Sequence, residues 1–155
     1  MRNKFFDEPT LTAVALPNVQ TVEAYGMYQA FAQCSVLERV ELPALTGIGT
    51  YGMYNACYEC GALSGLNLSS VTSVDTYGMS YAFVGTGVTD VDLSRLSTLG
   101  TYGLAKAFLR CSSLTSVNLS SLRSFTTQGL NATFQNCGAL REVYLTNLSA
   151  AGTVL

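Results

Sequence analysis

A repeat of about 26 residues runs through this sequence and constrains its fold more than any other feature. Each repeat contains an apolar block with the pattern LxxVxL, followed by a glycine that recurs at spacings of 26, 26, 25 and 26 residues. The blocks begin at Leu11, Leu37, Leu63, Val88, Leu114 and Leu140, and the glycines are Gly26, Gly52, Gly78, Gly103 and Gly129. Repeats of this length bury their apolar faces by stacking on one another. The sequence therefore predicts a solenoid of six strand-bearing coils.

Each repeat combines a strand pattern with a pattern typical of a short helix. In the block from Leu114 to Leu119, apolar residues alternate with Ser116 and Asn118, as expected for a strand with one buried face. After the glycine, Met53 and Ala56 have the spacing of one face of a helical turn. The predicted fold class is therefore an α/β repeat solenoid, with a parallel sheet on one face and short helical segments on the other.

One repeat is a residue shorter than the others. The distance from Ala82 to Leu93 is eleven residues, whereas the equivalent distance from Ala56 to Leu68 is twelve. Within this stretch, Gly85-Thr86-Gly87 replaces the cysteine-containing turn of the other repeats. Because glycine adopts backbone conformations that other residues avoid, we expect the two glycines to let the chain take a shorter path here.

The segment from Ala30 to Leu42 resembles one class of leucine-rich repeat. Its pattern, AFxxCxxLxxVxL, returns from Ala107 and, with one substitution, from Thr133. It is similar to the BspA-like class, and the preceding YGM sequence resembles a longer variant of that repeat. The resemblance implies a leucine-rich-repeat solenoid over residues 11–155, preceded by a polar N-terminal cap segment over residues 1–10. The class consists chiefly of bacterial and phage proteins of surface-adhesive or unassigned role, so the resemblance implies a binding module.

The composition argues against several classes of function. The sequence has no histidine, which is the commonest general base and a common metal ligand. Only 12% of the residues are charged and the net charge is -2, so no broad basic surface for nucleic acid is expected. No apolar run reaches the roughly 18 residues that a membrane-spanning helix needs. The sequence therefore predicts a protein that is not an enzyme, with no cofactor, no metal, no nucleic-acid partner and no membrane span.

The stretch from Thr50 to Cys60 contains two apparent motifs that the repeat explains. Thr50-Tyr51-Gly52 matches the triplet that cyclises in fluorescent proteins, but copies of it stand at the same position of other repeats. Cys57 and Cys60 form a Cys-x-x-Cys, but Cys57 stands where other repeats have phenylalanine. A redox or zinc site would need an electropositive setting or a second pair. Neither motif is therefore predicted to be a site.

Four of the five cysteines, Cys34, Cys60, Cys111 and Cys137, occupy one position of the repeat. Cys34 is therefore expected to stack on Cys60, and Cys111 on Cys137. A strand spacing of about 4.8 Å would bring the Cα atoms within disulfide range, although parallel side chains in register seldom reach the required dihedral angle. Three interpretations remain: buried thiols that behave as small hydrophobes, disulfides between stacked neighbours, and a metal site.

Two surfaces are candidates for binding a protein or glycan partner. The strand face carries outward residues that differ between repeats, namely Arg39, Glu41, Asn67, Asp90, Asp92, Asn118, Glu142 and Tyr144. The tyrosine column consists of Tyr25, Tyr51, Tyr77 and Tyr102, and tyrosines supply rigid amphipathic area at binding surfaces. The alternative is a stacked ladder of rings that covers the edge of the coils.

Part of the strand face is also a candidate for a shallow calcium or sugar-hydroxyl site. Asp90 and Asp92 lie on the same side of one predicted strand, and the neighbouring coils would place Asn67 and Asn118 beside Asp92. Oxygen ligands of this kind suit hard cations and polyols. The alternative is a set of solvated residues on an exposed sheet.

The ends of the predicted solenoid have no thick polar cap, although solenoids need covered ends to stay soluble. The last coil is expected to expose Val154, Leu155, Phe134 and Leu145, which predicts a homo-oligomer joined through the solenoid ends, or a larger assembly. The predicted function is a non-catalytic binding or adhesion module of bacterial or phage origin. The alternative is a structural or assembly protein that associates through its open ends.

The N-terminal sequence does not have the pattern of a signal peptide. It begins with basic residues, but Asp7, Glu8 and Pro9 interrupt it before an apolar core of sufficient length can form. We therefore expect the chain to lie in a phage virion or at a bacterial surface if it is part of a larger assembly, and in the cytoplasm otherwise.

Overall fold

The computed structural model describes residues 1–149 and contains ten short parallel strands in two columns. The first column consists of β1 (Ala13–Ala15), β3 (Arg39–Glu41), β5 (Gly65–Asn67), β7 (Asp90–Asp92), β9 (Ser116–Asn118) and β10 (Glu142–Tyr144). The second column consists of β2 (Thr21–Val22), β4 (Gly47–Ile48), β6 (Ser73–Val74) and β8 (Thr98–Leu99). Each coil lies on the next, which gives a parallel-strand solenoid of about five turns.

The strands β3, β7 and β9 each place one buried residue between two more exposed ones, as the sequence predicts. Val40, Val91 and Val117 point into the core and are 1%, 3% and 0% exposed. Their neighbours Arg39 and Glu41 are exposed. Because each coil covers the apolar residues of the next, these residues form one continuous core along the solenoid axis.

The segments that return the chain from the second column to the first are not helical, so the predicted short helical segments are wrong. None of residues 1–149 is in a helix, and this part of the chain therefore has no helix that could cross a membrane. In the first complete return segment, every fourth residue has a left-handed backbone, with φ of 58° at Tyr25, 49° at Gln29 and 65° at Gln33. An α-helix needs φ near -63° at every residue, so these positions interrupt it.

Each left-handed residue of the complete return segments is the third residue of a tight turn. The N–H of Gly26 donates to the carbonyl oxygen of Glu23 at 2.8 Å, and the same bond recurs four residues later. A turn with φ above zero at its third residue has the geometry of a type II turn. The turns repeat every four residues, close to the period of 3.6 in a helix. For this reason, the apolar spacing of Met53 and Ala56 fits a series of consecutive tight turns as well as one face of a helix.

A second set of backbone hydrogen bonds, which we call the return ladder, joins each return segment to the next. Every other N–H donates to a carbonyl oxygen of the following coil. Met27 donates to Gly52 at 2.7 Å, and Gln29 donates to Tyr54 at 2.9 Å. The complete return segments are residues 23–34, 49–60, 75–86, 100–111 and 126–137. Because half of the N–H groups bond to another coil, they are not free to form the bonds of a helix.

The short repeat interrupts the first column of strands but not the return ladder. β5 and β7 do not pair, so the column is divided into one sheet of β1, β3 and β5 and another of β7, β9 and β10. At the same level, the N–H of Glu59 still donates to the carbonyl oxygen of Val84 at 2.8 Å. Strand pairing resumes at Asp90, which is paired with Ser116. The missing residue therefore lies between Val84 and Asp90.

The first eight residues have the structure of the second half of a return segment. The N–H groups of Asn3, Phe5 and Asp7 each donate to the first complete return segment at 2.9 Å. Asn3 and Asp7 have left-handed φ angles of 51° and 56°. The Phe5 ring stacks on the Phe31 ring, with 5.8 Å between the centroids. Residues 1–8 therefore cover the return side of the first coil.

Candidate functional site

The strand face is divided by the break between β5 and β7. Of the predicted residues, Arg39, Glu41 and Asn67 lie on β3 and β5, on one side of the break. Asp90, Asp92, Asn118, Glu142 and Tyr144 lie on β7, β9 and β10, on the other side. The structure thus brings the predicted residues together as two groups rather than as one continuous surface.

A shallow groove of about 290 Å³ lies on β3 and β5. It is lined by the predicted residues Arg39, Glu41 and Asn67, together with Val40, Pro43, Gly65 and Leu66. Gly65 leaves room for the groove, because a Cβ atom there would lie 2.9 Å from Cγ of Arg39. Arg39 Nε lies 3.9 Å from Glu41 Oε1, and both side chains are well exposed. The groove therefore combines apolar lining with a pair of opposite charges.

Leu66 is more exposed than its counterparts in the neighbouring coils. Val40 and Val91 are 1% and 3% exposed, whereas Leu66 is half-buried. Leu66 lies on β5, which pairs with β3 on one side and has no paired strand on the other. The break in the sheet thus makes an apolar side chain accessible within the groove.

Three of the predicted strand-face residues also fix the ends of their strands. The Oδ1 atoms of Asn67, Asp92 and Asn118 accept the backbone N–H two residues further on, at 3.1, 2.9 and 3.0 Å. Asn and Asp side chains commonly close turns in this way. These side chains therefore have a structural role in addition to their place on the surface.

Asp90 bonds to hydroxyl groups of the next coil. Its Oδ1 accepts hydrogen bonds from Ser116 Oγ at 2.6 Å and Thr115 Oγ1 at 3.2 Å. The hydrogen bonds from Ser116 and from Thr89 lower the pKa of Asp90. Within residues 1–149, no group of three or more His, Cys, Asp or Glu side chains could hold a metal ion. Asp90 therefore joins two coils of the second sheet.

The tyrosine column is a stack of nearly parallel rings. The centroids of Tyr25 and Tyr51 are 5.2 Å apart, with an interplanar angle of 9°. The pairs Tyr51–Tyr77 and Tyr77–Tyr102 are each 4.9 Å apart, at 6° and 5°. Tyr25 is 44% exposed, whereas the other three rings are half-buried. Because the ring faces contact each other, the column offers ring edges and hydroxyl groups to a partner.

A second row of tyrosines lies beside this column, and a cation lies at each end of the row. Tyr28 and Tyr54 stack with 5.3 Å between centroids, and Tyr54 and Tyr81 are 5.7 Å apart. The guanidinium of Arg2 lies 5.2 Å from the Tyr28 centroid. At the other end, Lys106 Nζ lies 5.2 Å from the Tyr81 centroid and donates to its hydroxyl at 3.1 Å. Cations in these positions are attracted to the ring faces.

All five cysteines are free thiols, and four of them join one coil to the preceding one. Each of these four donates its thiol to the carbonyl oxygen of a phenylalanine. The bonds are Cys34 to Phe5 at 2.9 Å, Cys60 to Phe31 at 2.9 Å, Cys111 to Phe83 at 3.1 Å and Cys137 to Phe108 at 3.0 Å. Burial raises the pKa of Cys137 to about 11. The cysteine position of the repeat is therefore a hydrogen-bonding position between coils.

Cys57 and Cys60 belong to one tight turn inside the core, in which the N–H of Cys60 donates to the carbonyl oxygen of Cys57 at 3.2 Å. Both side chains are fully buried. Interaction with the Cys60 thiol, together with burial, raises the pKa of Cys57 well above the ordinary value for a thiol, whereas the same interaction lowers the pKa of Cys60. Because reactive cysteines are partly exposed and neither of these thiols reaches solvent, this arrangement does not favour redox or metal chemistry at the Cys-x-x-Cys.

Sequence reasoning missed the apolar part of the groove, which is formed by Val40, Pro43 and Leu66. One signal for it is present in the sequence. Gly65 stands in the outward column at the position that Arg39 and Asp90 occupy in the neighbouring coils. A glycine at this position removes a side chain from the strand face and so marks a depression.

The repeated pattern of inward apolar residues along the coils matches a known repeat family. The family model for the BspA type leucine rich repeat region matches the chain with six copies, over residues 1–102 and 56–151. The chain belongs to the BspA-type leucine-rich repeat family. The match covers nearly all of this BspA-type chain and includes the short repeat at Gly85.

Two solved structures are similar to this BspA-type chain. One is a leucine-rich cell surface protein from Faecalibacterium prausnitzii, with a TM-score of 0.56 and 20% identity; the match covers 91% of this chain and 36% of that one. The other is a leucine-rich repeat protein from Bacteroides ovatus, with a TM-score of 0.27 and 15% identity over 96% and 58% of the two chains. This chain thus spans about a third of the first protein, and that likeness establishes the fold. No curated protein matches the chain significantly.

Proposed function

We propose that this BspA-type chain is a non-catalytic protein-binding module that holds its partner at the groove on β3 and β5. The observation that carries the proposal is the half-buried Leu66, placed beside Gly65 in a groove that Arg39 and Glu41 also line. An accessible apolar side chain beside exposed charges is the arrangement of a small interface core with a polar rim. The partner is expected to insert an apolar side chain and to place charged groups against Arg39 and Glu41.

A protein partner fits this groove better than a glycan. Sugars bind well to the open faces of aromatic rings, but the faces of the tyrosine column are stacked on each other. The groove itself is lined by Val40, Pro43 and Leu66 without any aromatic ring. Burial of the exposed Pro43 and the half-buried Leu66 supplies the apolar driving force for binding. The tyrosine column and the residues on β7, β9 and β10 are proposed as further contacts for a larger partner.

The proposed location is a bacterial surface. The solved structure with the higher TM-score is described as a cell surface protein, and this chain corresponds to about a third of it. A binding module of this size would therefore act as part of a larger surface assembly.

The proposal is tested by selecting peptide ligands from a random display library on the purified chain. Their affinity is then measured by calorimetry for the wild type and for two groove variants, Leu66→Asp and Arg39→Glu. Each groove variant is expected to weaken binding about tenfold or more, because a change at a central hot-spot residue costs about 2 kcal/mol or more and about 1.4 kcal/mol corresponds to tenfold.

The matched control is Glu142→Gln, which changes an exposed strand-face residue on the other side of the break. It is expected to leave the affinity unchanged. Ligands that bind both groove variants as tightly as the wild type would contradict the proposal. Binding that is lost instead on Tyr25→Ala would move the site to the tyrosine column.

A further inference from the structure

The last complete return segment has a row of N–H groups with no acceptor in the described part of the chain. In the earlier return segments, every other N–H donates to the next coil through the return ladder. The equivalent N–H groups belong to Gln128, Leu130, Ala132, Phe134 and Asn136, and they have no acceptor among residues 1–149. A row of unpaired donors on an extended edge is a template for pairing with another chain.

The opposite end of the solenoid carries the matching acceptors. Residues 1–8 direct the N–H groups of Asn3, Phe5 and Asp7 towards the first complete return segment. The alternating carbonyl oxygens, those of Arg2, Lys4 and Phe6, accept no hydrogen bond within the described part of the chain. In the return ladder, the acceptors are every second carbonyl oxygen of a return segment. The oxygens of Arg2, Lys4 and Phe6 have the same spacing, because residues 1–8 form the same kind of consecutive turns.

The two ends of the described chain also supply complementary parts of a coil. Residues 138–149 supply the strand side of a coil, including β10, and no described return segment follows them. Residues 1–8 supply the second half of a return segment, and β1 belongs to the next coil. A strand side from one molecule and a return side from another would therefore make up one coil between them.

Apolar side chains that are buried in the inner coils are accessible at both ends. Val143 on β10 is 38% exposed, whereas its counterpart Val117 is fully buried. At the other end, Val14 on β1 is only half-buried. Phe134 and Phe5 are also half-buried, and each stacks on one neighbouring ring, at 6.2 and 5.8 Å. The other face of each of these two rings meets no aromatic ring within residues 1–149, and Lys4 Nζ lies 5.9 Å from the Phe5 centroid. The predicted exposure of Val154 and Leu155 lies outside the described residues.

We propose that a second copy of this chain covers these surfaces, in a head-to-tail contact that continues the return ladder from one molecule into the next. In this contact, the N–H groups of Ala132, Phe134 and Asn136 donate to the carbonyl oxygens of Arg2, Lys4 and Phe6 of the second copy. Phe134 stacks on Phe5 of the second copy, and Val143 packs against its Val14. The contact repeats between molecules the coil-to-coil packing that occurs within each chain, and it does not depend on the groove.

A contact of this kind uses a different surface on each of the two molecules. Each molecule in the contact still has one end open. Heterologous contacts that do not close into a ring produce open chains of molecules. The proposal therefore predicts filaments whose length grows with protein concentration, rather than a dimer of fixed size.

The test is sedimentation equilibrium of the wild type over a range of concentrations, with two variants that each block one end. Val14→Lys blocks the β1 end and Val143→Lys blocks the β10 end, because either lysine would lie unpaired in the apolar contact. In a free monomer, the lysine can reach solvent from these accessible positions. The wild type is expected to show an average mass that rises with concentration, whereas each variant alone is expected to remain at the monomer mass of 16.5 kDa.

The mixture of the two variants distinguishes head-to-tail contact from other modes. The Val14→Lys variant keeps an intact β10 end, and the Val143→Lys variant keeps an intact β1 end. An equimolar mixture is therefore expected to form dimers of about twice 16.5 kDa and nothing larger. The control is Arg95→Gln, an exposed residue of an inner coil outside both ends and the groove, which should associate like the wild type. A wild type that stays monomeric at all concentrations would overturn the proposal, whether or not the variants fold. A mixture of folded variants that stays monomeric, or a single variant that dimerises alone, would also overturn it.

Discussion

Glu59 and Arg110 form an ion pair although they belong to return segments two coils apart. The residue between them in the stack is Gly85, and a Cβ atom at Gly85 would lie 2.7 Å from Glu59 Oε2. Glycine therefore leaves open the path along which the two charged side chains meet. The pair joins three successive coils beside the short repeat, where the first column of strands is interrupted.

Gly85→Ala is expected to lower the free energy of unfolding by about 1–2 kcal/mol. Gly85 has φ of 68°, and a left-handed backbone costs an alanine about 1–2 kcal/mol. The added methyl group also displaces Glu59 from Arg110, but this exposed ion pair contributes little on its own. Unfolding in urea measures the change. Gly61→Ala is the matched control, because a Cβ atom there meets nothing within 4 Å; an equal loss in both variants would contradict the prediction.

Cys34→Ala is expected to destabilise the protein more than Cys34→Ser. The Cys34 thiol donates to the carbonyl oxygen of Phe5, and alanine would leave this partly buried acceptor unpaired at a cost of about 1 kcal/mol. A serine hydroxyl can replace the donor. Thr86, in the same column, already bonds through its hydroxyl to the carbonyl oxygen of Phe83 at 2.9 Å. Urea unfolding of both variants is the measurement, and a serine variant less stable than the alanine variant would show that only the volume of the thiol matters.

Stability is expected to fall as the pH rises from about 9 to about 11. Burial raises the pKa of Cys137 from 9.0 to about 11, and partial desolvation together with its neighbour Tyr77 raises the pKa of Tyr51 above 10.0. The unfolded chain therefore releases these protons at lower pH than the folded chain does. Their stabilising contribution is complete below pH 9.0 and is lost as the pH rises through the folded-state pKa values.

The midpoint of urea unfolding, measured at increasing pH, follows this change. In Cys137→Ala, the decline between pH 9 and about pH 11 should be smaller, because one of the contributing groups is absent. A midpoint that stays constant or rises over this interval in the wild type would contradict the assignment.

Insertion of one alanine between Gly87 and Val88 is expected to join the two sheets. The insertion gives this repeat the same length as its neighbours. In the native chain, the N–H of Thr89 has no acceptor among residues 1–149, whereas the equivalent N–H of Ser64 donates to Glu38 at 3.1 Å. Each hydrogen bond gained should add about 0.5–1.5 kcal/mol to the stability.

Hydrogen exchange at the Thr89 amide is the direct measurement of this prediction. The amide should exchange rapidly in the native chain and slowly after the insertion. The same insertion should cover Leu66 and weaken ligand binding at the groove. An insertion that leaves the exchange of Thr89 unchanged would show that the break does not result from the missing residue.

The strand columns could be predicted from the sequence because their signals are local. Alternation around Val117 and the recurrence of equivalent residues every 26 positions suffice to assign the inward faces. The return segments could not be assigned in this way. Turns that repeat every four residues give apolar spacings like those of a helix, and the left-handed positions are occupied by residues such as Tyr25 and Gln29 rather than by glycine.

The candidate groove was predictable only in part, for a different physical reason. Arg39, Glu41 and Asn67 follow from the outward positions of two strands. The exposure of Leu66, in contrast, depends on a residue missing about twenty positions later in the chain, which prevents β5 from pairing with β7. Nothing in the local sequence of β5 records this effect, because it acts through the register between two coils.

The return ladder gives the protein an electrical polarity, although residues 1–149 contain no helix. In every bond of the ladder the earlier coil supplies the N–H and the later coil supplies the carbonyl oxygen. The peptide dipoles therefore add along the solenoid axis as they do along an α-helix, with the positive pole at the last coil. Arg2 and Lys4 belong to the segment at the negative pole, where cations are favoured. The dipole moment along the axis would grow with each added coil and keep the same sign.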